Sequence, residues 1–535
     1  MLYLSNALIF DGSGAQPYRG GMLIREGHIV AVGDVAPPLD VDEIDLRGFA
    51  LAPGFIDLHS HSDLAVLENR KEKSDQGITS EVVGNCGFSS YPCGHYPQLL
   101  AEQNESILHG SATWSTAASY LDSVRHSSRL VHVESLIGHG ALRTAVYGSA
   151  AGTAQLSQLD AMTSVLDEAL SDGAIGFSTG LMYAPGSEAP LAELEALCRV
   201  VARHGKLYTT HMRSYSWQLL ESIDEQIELA RRTGCRLQIS HLQAVGRDNW
   251  HKQRLALDRI EKAHNEGIDI GFDCYPYLAG STVMTQLLPQ SALKDGIAGL
   301  LALIADTASR VALEHALDTQ TAQAWSDIFL SSVHTATNRH LIGQHIAEIS
   351  AHRGTLPSAT VLDLLSEECG KVNIVAFNQS ESNLRELIVH PLSSIITDGF
   401  YVSERPHPRL AGAFPTFLGE FVRTRGWLSL PEAIRKITSQ PAERLHLANL
   451  GRLAPGSPAE LTIFDPALIG SEATFDHPTA SPSGIHLVIR RQQLLPKSSS
   501  LLDGYGILLS GRALAHATVT HPPTPETIGE LHYER

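Results

Sequence analysis

The sequence predicts an α/β protein whose main body is a (β/α)8 TIM-type barrel. Eight apolar, strand-like segments follow one another through the middle of the chain, and several are separated by amphipathic segments of helix length. Strands that alternate with helices indicate a parallel sheet, and eight such units indicate a barrel. At both ends of the chain, short strand-like segments are punctuated by Gly and Pro, which predicts a small β-sandwich domain built from both ends.

Each predicted barrel strand is an apolar run that gives way to a loop. In chain order these runs are GFIDLHSH, SEVVGNCG, RLVHVESLIGHG, GAIGFSTG, KLYTTHMR, RLQISHLQ, DIGFDCYPY and SSIITDG. Between them, QLSQLDAMTSVLDEALSDG and SWQLLESIDEQIELARRTG have the apolar periodicity of amphipathic helices. This alternation is what assigns the sheet as parallel.

The seventh and eighth predicted strands are far apart, and a helix-rich segment containing LKDGIAGLLALIADTASRVALEHAL lies between them. An insertion at that point emerges on the face where barrel active sites lie. It is expected to form a lid or a wall of the substrate pocket, the alternative being a subdomain that packs without touching substrate. Four units are predicted. A small β domain takes residues 1–53 plus 446–495, and a barrel takes 54–284 plus 357–445. The helical insertion takes 285–356, and a C-terminal tail takes 496–535.

Composition limits the classes of partner. The chain of 535 residues has 40 Lys and Arg against 58 Asp and Glu, a formal net charge of −18. Nucleic acids and anionic membranes need cationic contacts, so neither is expected as a partner, and a small molecule is. The chain has no apolar run of membrane-spanning length, no signal-peptide pattern at its start, and too few cysteines for a disulfide framework, which together predict a cytoplasmic protein.

Residues of metal-ligand type stand at the ends of five predicted strands. On a strand, residues i and i+2 point to the same side, so both histidines of DLHSH face one way. The ends of barrel strands converge, and imidazole, thiolate and carboxylate are ligands for zinc. Taken singly, a buried Cys or a turn Asp has an ordinary structural explanation. Together the set predicts a metal hydrolase site made of His59, His61, Cys86, His211, His241 and Asp398.

Longer segments resemble the N-acyl-D-amino-acid deacylases (D-aminoacylases) of the metal-dependent amidohydrolase superfamily. They include GFIDLHSHSD, EVVGNCGFSSYP, GAIGFSTGLMYAPGS, LQISHLQAVGRDNW and HPRLAGAFPTFLG, and the resemblance extends over about residues 1–490. Many amidohydrolases bridge two metals with a carboxylated lysine, whereas this branch has GNCG, and no lysine ends the fourth strand here. The resemblance implies a zinc-dependent hydrolase that cleaves the amide bond of N-acyl-D-amino acids or a related N-acyl amine.

The resemblance also implies roles for the ligand residues. A tightly bound zinc ion is held by Cys86, His211 and His241. The two first-strand histidines complete a second, weaker or vacant metal position that shares the thiolate and the carboxylate. Asp398 is the general base that activates the water and later protonates the leaving nitrogen. The number of metal ions and the oligomeric state are left open.

The substrate contacts depart from the family pattern. Tyr183, Tyr275 and Ser281 resemble groups that hold the substrate α-carboxylate, the alternative being packing at the barrel rim. The family has a lysine two residues after the sixth-strand histidine, where this chain has Gln243, a neutral donor and acceptor. Arg213 is expected either to supply the missing charge or to form a structural ion pair.

Tyr215 is a further departure, because the family usually has an acidic residue at that position. Two alternatives to a D-aminoacylase stay open. One is an amidohydrolase acting on a neutral or cyclic amide, although hydantoinase-like relatives usually carry the strand-four lysine. The other is a non-enzymatic scaffold, which the complete ligand set disfavours. Asp273 and Cys274 are expected to pack and orient, and His407 and Arg409 are assigned no catalytic role.

Overall fold

Eight parallel strands form the central barrel sheet in the computed structural model of the chain, which confirms the predicted fold class. Residues 1–39, 41–148, 152–402, 404–490, 507–509 and 518–519 are described. The barrel strands are hydrogen-bonded to one another in chain order and comprise Phe55–Asp57, Ile78–Val83, His132–Gly138, Gly176–Gly180, Leu207–His211, Arg236–Ile239, Ile270–Cys274 and Ser393–Ile395.

Backbone contacts just beyond the strands bring the eighth strand back to the first. The Asp398 amide donates to the His59 carbonyl at 3.0 Å, and the His61 amide donates to the Gly399 carbonyl at 3.0 Å. The sheet is therefore nearly closed at its carboxyl end. As a result, residues about 340 positions apart in the sequence become neighbours.

The helices pack apolar faces against this sheet. In Leu219–Thr233 the buried residues Leu219, Ile223, Ile227 and Ala230 recur at intervals of three and four, as predicted for an amphipathic helix. The other predicted helix is likewise present. The α-helices are Pro97–Leu108, Ala117–Ser127, His139–Tyr147, Leu156–Ser171, Leu191–Arg203, Leu219–Thr233, Lys252–Asn265, Gly296–Ala305, Thr307–Gln320, Ile346–Arg353, Pro357–Glu367, Glu381–Val389, Arg409–Thr416, Leu430–Lys436 and Ser439–Leu445, and a π-helix spans Phe417–Thr424.

The two ends of the chain build a second, mixed sheet, as the sequence predicted. Its strands are Leu2–Ile9, Tyr18–Arg25, His28–Gly33, Asp42–Asp45, Ala50–Pro53, Leu461–Phe464, Ile485–Ile489, Ile507–Leu509 and Thr518–Val519. Hydrogen bonds connect all nine into one branched sheet rather than two separate layers. The last two strands fall within the predicted tail, so at least those parts of 496–535 belong to this sheet; the rest of that tail lies outside the described residues.

The segment between the seventh and eighth barrel strands is a mixed helical and β unit with its own apolar core. The sequence predicted a helical insertion over 285–356, but the structure also contains an antiparallel sheet that begins at Ala279 and ends at Phe377. Short apolar runs such as IFLSSV fit a strand or a buried helix equally well, so periodicity did not reveal these strands. They are Ala279–Val283, Ile328–Val333 and Val372–Phe377.

Two consecutive helices of this insertion are joined by a sharp bend. Within the described residues, no single helix is long and apolar enough to cross a membrane. Gly296–Ala305 and Thr307–Gln320 reach that length and composition only as a pair, and the chain bends by 104° between them. Leu300 and Leu317, one from each helix, are fully buried in the core of the insertion.

Candidate metal centre and active site

Four imidazoles, one thiol and one carboxylate meet at the carboxyl end of the barrel sheet. The Cys86 Sγ lies 3.3 Å from His59 Nε2 and 3.4 Å from His241 Nε2. The Asp398 Oδ1 lies 3.4 Å from His59 Nε2 and 3.3 Å from His61 Nε2. With His211, which packs against the His241 ring, the structure brings together all six residues that the sequence placed at strand ends. All six are buried.

The ligand atoms have the spacing that a metal ion needs. In three overlapping sets, one ligand atom per residue lies within 4.8 Å of the others, and the sets are His59–His61–Cys86, Cys86–His211–His241 and His59–His241–Asp398. Both ring nitrogens of His211 are buried and have no hydrogen-bond partner among the described residues. An imidazole buried in this way is costly unless it binds something else. Because thiolate and imidazole are a donor set that zinc prefers, the residues fit a zinc ion.

Three residues of the cluster have a backbone conformation that residues other than glycine rarely adopt. The φ angles are 53° at Cys86, 33° at His241 and 47° at Asp398. Each residue lies two or three positions beyond the end of its barrel strand. Such conformations cost about 1–3 kcal/mol each and occur mainly where function requires a particular side-chain direction. Three strained residues therefore lie side by side in this one cluster.

The GNCG turn holds Cys86 against the two neighbouring strands. A Cβ atom at Gly84 would lie 2.1 Å from the Leu136 carbonyl oxygen, and one at Gly87 would lie 2.7 Å from the Gly180 nitrogen. Both glycines also have a φ of 79°. Only glycine fits these two positions, which explains the two glycines of the GNCG turn.

Burial favours the neutral form of three of the imidazoles. It lowers the pKa of His211 well below its ordinary value, that of His241 to about 4, and that of His61. The neutral imidazole is the form that binds a metal ion. Burial also raises the pKa of the Cys86 thiol, so the cluster without a cation does not favour the thiolate. Metal binding and deprotonation of this thiol are therefore coupled.

A buried arginine holds the carboxylate of Asp398 in its ionised form. The Arg409 Nη1 lies 2.8 Å from Asp398 Oδ2, and both side chains are buried. Burial raises the pKa of Asp398, but the Arg409 guanidinium and the nearby imidazoles hold that pKa well below its usual range. The same guanidinium stacks over the Tyr275 ring at 4.5 Å. An ionised carboxylate in this position is able to accept a proton.

Two further carboxylates orient the ligand residues. Asp273 accepts a hydrogen bond from the His241 amide at 2.6 Å and lies 3.5 Å from His59 Nδ1, which leaves Nε2 of that ring facing the cluster. One layer lower, Asp57 accepts hydrogen bonds from the Thr397 amide at 3.0 Å and from Thr397 Oγ1 at 2.6 Å. The first and eighth strands are thereby locked together immediately before their metal-site residues.

The cluster opens into a cavity between the barrel and the insertion. The insertion forms one wall of this cavity rather than packing away from it. Of the sequence-predicted substrate residues, four line the cavity, namely Tyr183, Gln243, Tyr275 and Ser281. The wall that the insertion contributes includes Gln286, Leu287, Gln320, Thr321 and Gln323.

Known proteins share this architecture over almost the whole chain. Residues 42–495 match the sequence profile of the amidohydrolase family. The chain is 33% identical over 491 residues to a D-aminoacylase of Alcaligenes xylosoxydans xylosoxydans, covering 91% of this chain and 92% of that protein. It is also 33% identical over 504 residues to an N-acyl-D-glutamate deacylase of the same organism, covering 93% and 94%.

A solved structure agrees with these sequence matches. It is that of the N-acyl-D-glutamate deacylase from Bordetella bronchiseptica, complexed with zinc and a phosphonate inhibitor that mimics the tetrahedral intermediate. It superposes with a TM-score of 0.80 at 30% identity and covers 92% of this chain and 95% of that chain. The chain belongs to the D-aminoacylase family of the amidohydrolase superfamily. The resemblance expected from the sequence is thereby confirmed.

The four cavity-lining residues of this amidohydrolase are close to the metal cluster. The Tyr275 hydroxyl donates to Gln243 Oε1 at 3.1 Å. The Tyr183 ring packs 4.8 Å from the His211 ring, and the Ser281 hydroxyl donates to the Ile374 carbonyl at 3.1 Å. Their contact with substrate stays a prediction.

Arg213, the fifth residue predicted to bind substrate, has a different role in this amidohydrolase. Its Nε lies 3.0 Å from Glu225 Oε1, and its Nη1 and Nη2 donate to the carbonyls of Ser187 at 2.9 Å and Ala189 at 2.6 Å. It is absent from the described residues that line the cavity. Of the two roles that the sequence allowed, Arg213 has that of a structural ion pair, because its guanidinium already binds a carboxylate and two carbonyl groups.

Tyr215 and Arg409 have roles that the sequence did not indicate. The Tyr215 hydroxyl accepts from the Met212 amide at 3.1 Å and donates to the Ser240 carbonyl at 2.9 Å, which ties the ends of the fifth and sixth strands together. Arg409 was assigned no catalytic role, yet it lies in the cavity between Asp398 and Tyr275. The helix that begins at Arg409 carries no local signal of this contact, and the family-like HPRLAG segment was the only available hint.

Proposed function

We propose that this chain is a zinc-dependent hydrolase that cleaves the amide bond of N-acyl-D-amino acids. The observation that carries the proposal is the presence, in one cavity, of a Cys/His/His donor set, an ionised carboxylate and a buried arginine. The names of the two curated relatives and of the solved structure support an N-acyl-D-amino acid as the substrate. The D configuration rests on those names.

The metal-binding role belongs to Cys86, His211 and His241. Their ligand atoms lie within 4.8 Å of one another, and the His211 nitrogens have no other described partner. The two first-strand histidines and Asp398 provide a second position beside it. When bound, zinc polarises a carbonyl group and lowers the pKa of water to about 7.

Asp398 carries the proton during hydrolysis. It is ionised before the reaction, so it accepts a proton from the attacking water. The protonated carboxyl group then donates that proton to the nitrogen of the scissile amide, and the amine leaves in neutral form. The contact with Arg409 keeps the carboxylate oriented, and the strained backbone at Asp398 directs it towards the cluster.

Arg409 binds the α-carboxylate of the substrate. It lines the cavity beside Tyr275 and Ser281, and its Nε is buried without a hydrogen-bond partner among the described residues. A guanidinium with an unused donor is well suited to a second carboxylate, because charge-assisted hydrogen bonds are the strong ones. Arg409 therefore supplies the positive charge for which the sequence had suggested Arg213.

The test is release of free amine by zinc-loaded protein. The panel consists of N-acetyl-D-methionine, its L enantiomer, and the D carboxamide that lacks the carboxylate. We expect turnover of the D acid, with at least about tenfold lower kcat/KM for the carboxamide because a charged hydrogen bond is lost. Turnover of the carboxamide alone would overturn the role of Arg409. Release from no member of the panel would overturn the proposed activity.

A further inference from the structure

The charged side chains that line the cavity are confined to its metal end. Among the described residues, Asp398 is the only carboxylate in the lining and Arg409 is the only arginine or lysine. These two face each other at 2.8 Å. Any other charge that a ligand brought into this cavity would have to be stabilised by the remaining walls.

The remaining polar wall consists of neutral amides and hydroxyls. It includes Gln243, Gln286, Gln320, Thr321, Gln323 and Asn378. Three polar atoms of this set are buried without a hydrogen-bond partner among the described residues, namely Gln286 Nε2, Thr321 Oγ1 and Asn378 Oδ1. Neutral donors and acceptors suit an uncharged polar or apolar group, but they do not compensate for the free-energy cost of desolvating a full charge.

Two cations whose neighbours line or border the cavity are already engaged elsewhere. The Lys252 Nζ binds the carbonyl of Trp217 at 2.7 Å and Asn249 Oδ1 at 2.8 Å, and it lies 3.4 Å from the carbonyl of Ser216 on the cavity wall. Arg213 is held by Glu225 and two carbonyls, as described above. Neither is available to a second carboxylate without breaking these contacts.

We infer that the cavity selects N-acyl amino acids with uncharged side chains and discriminates against acidic and basic ones. This inference rests on the proposed function, in which the α-carboxylate takes Arg409 and Asp398 is the proton carrier. An acidic side chain then lacks a cation, and a basic one lacks a carboxylate. Overall similarity does not decide this point, since the D-aminoacylase and the N-acyl-D-glutamate deacylase are both 33% identical to the chain.

The experiment compares kcat/KM for two nearly isosteric substrates, N-acetyl-D-glutamine and N-acetyl-D-glutamate, with N-acetyl-D-methionine and N-acetyl-D-lysine as further members. We expect the two neutral substrates to exceed the two charged ones by at least about 30-fold, since burying an unpaired charge costs several kcal/mol. Equal or faster hydrolysis of the glutamate or the lysine substrate would overturn the inference while leaving the proposed function intact. Failure to hydrolyse any of the four would overturn both.

A matched pair of variants tests the cause. Gln286→Lys places a cation in the part of the neutral wall that the insertion contributes, and the ratio of kcat/KM for the glutamate over the glutamine substrate is expected to rise by at least about tenfold. Gln286→Met removes the same amide without adding charge, and that ratio is expected to stay within about threefold of the wild-type value. An unchanged ratio in a folded, zinc-containing Gln286→Lys protein would contradict the inference that the missing cation sets the selectivity.

Discussion

Two buried polar clusters lie one layer apart on the same barrel strands, and they are built in opposite ways. In the lower cluster, Lys73 Nζ lies 2.7 Å from Asp57 Oδ2, and Glu81 accepts a hydrogen bond from Ser60 Oγ at 2.7 Å. In the upper cluster, the His211 nitrogens have no described partner, and three residues have a positive φ. Within the described residues, the polar groups of the lower cluster find partners in the protein, whereas the upper cluster contains ring nitrogens without a partner.

The same strand ends contribute residues to both clusters. Asp57 of the lower cluster and His59 of the upper one are two residues apart, and Thr397 immediately precedes Asp398. The saturated hydrogen bonds of the lower layer hold the strand ends in place. They thereby support the residues of the upper cluster, which have a strained backbone or polar atoms without a hydrogen-bond partner among the described residues.

The largest effect is expected for Asp398→Asn in the upper cluster. Losing the proton carrier should lower kcat by at least about 10³-fold, because general acid–base groups contribute on the order of 10²–10⁴. The measurement is steady-state amine release at saturating zinc. The variant is expected to keep the zinc ion bound at Cys86, His211 and His241, as measured by metal analysis. Activity within tenfold of wild type, with zinc retained, would contradict the role of Asp398.

In the lower cluster, Lys73→Met should act on stability. It leaves the Asp57 and Glu81 carboxylates buried without their cation, so the free energy of unfolding is expected to fall by about 3–5 kcal/mol. Denaturant unfolding measures this value. The control is the exposed neighbour Lys71→Met, for which a change within about 0.5 kcal/mol is expected. Similar values for the two variants would remove the distinction between the clusters.

Zinc itself should stabilise the fold through the upper cluster. At a free zinc concentration 100 times Kd, the gain in the free energy of unfolding is about 2.7 kcal/mol relative to chelator-treated protein. Thermal or denaturant unfolding with and without zinc measures it. Cys86→Ser, which removes the thiolate ligand, should lose most of this gain. A wild-type protein whose unfolding is indifferent to zinc would show that the upper cluster is not a metal site.

The smallest effect on catalysis is expected for Arg213→Met. Because its guanidinium binds Glu225 and two carbonyls, the free energy of unfolding should fall by about 1–3 kcal/mol, while KM stays within about threefold. Arg409→Met is the contrasting variant, and its KM should rise by at least about tenfold. Initial-rate kinetics on one N-acetyl-D-amino acid separates the two. A larger KM change for Arg213 than for Arg409 would reverse the assignment of the carboxylate-binding arginine.

Much of the barrel and its ligand set was accessible from the sequence by itself. Apolar runs that alternate with amphipathic helices indicate a parallel barrel, and the barrel fold requires the carboxyl ends of its strands to converge. That is why His59, Cys86, His211 and His241 were expected to meet although they are spread over nearly 200 residues. The resemblance of longer segments to a known family implied the role of each of these residues.

The tertiary structure alone decided which charges pair. Arg213 lies two residues beyond the fifth barrel strand, and Arg409 begins a helix after the eighth. Neither setting indicates a partner, yet the first binds Glu225 and the second Asp398. It also decided that the insertion contains a sheet beginning at Ala279, because short apolar runs are compatible with either a strand or a helix. In both cases the deciding contacts join residues far apart in the chain, so their energies depend on packing that local sequence patterns do not encode.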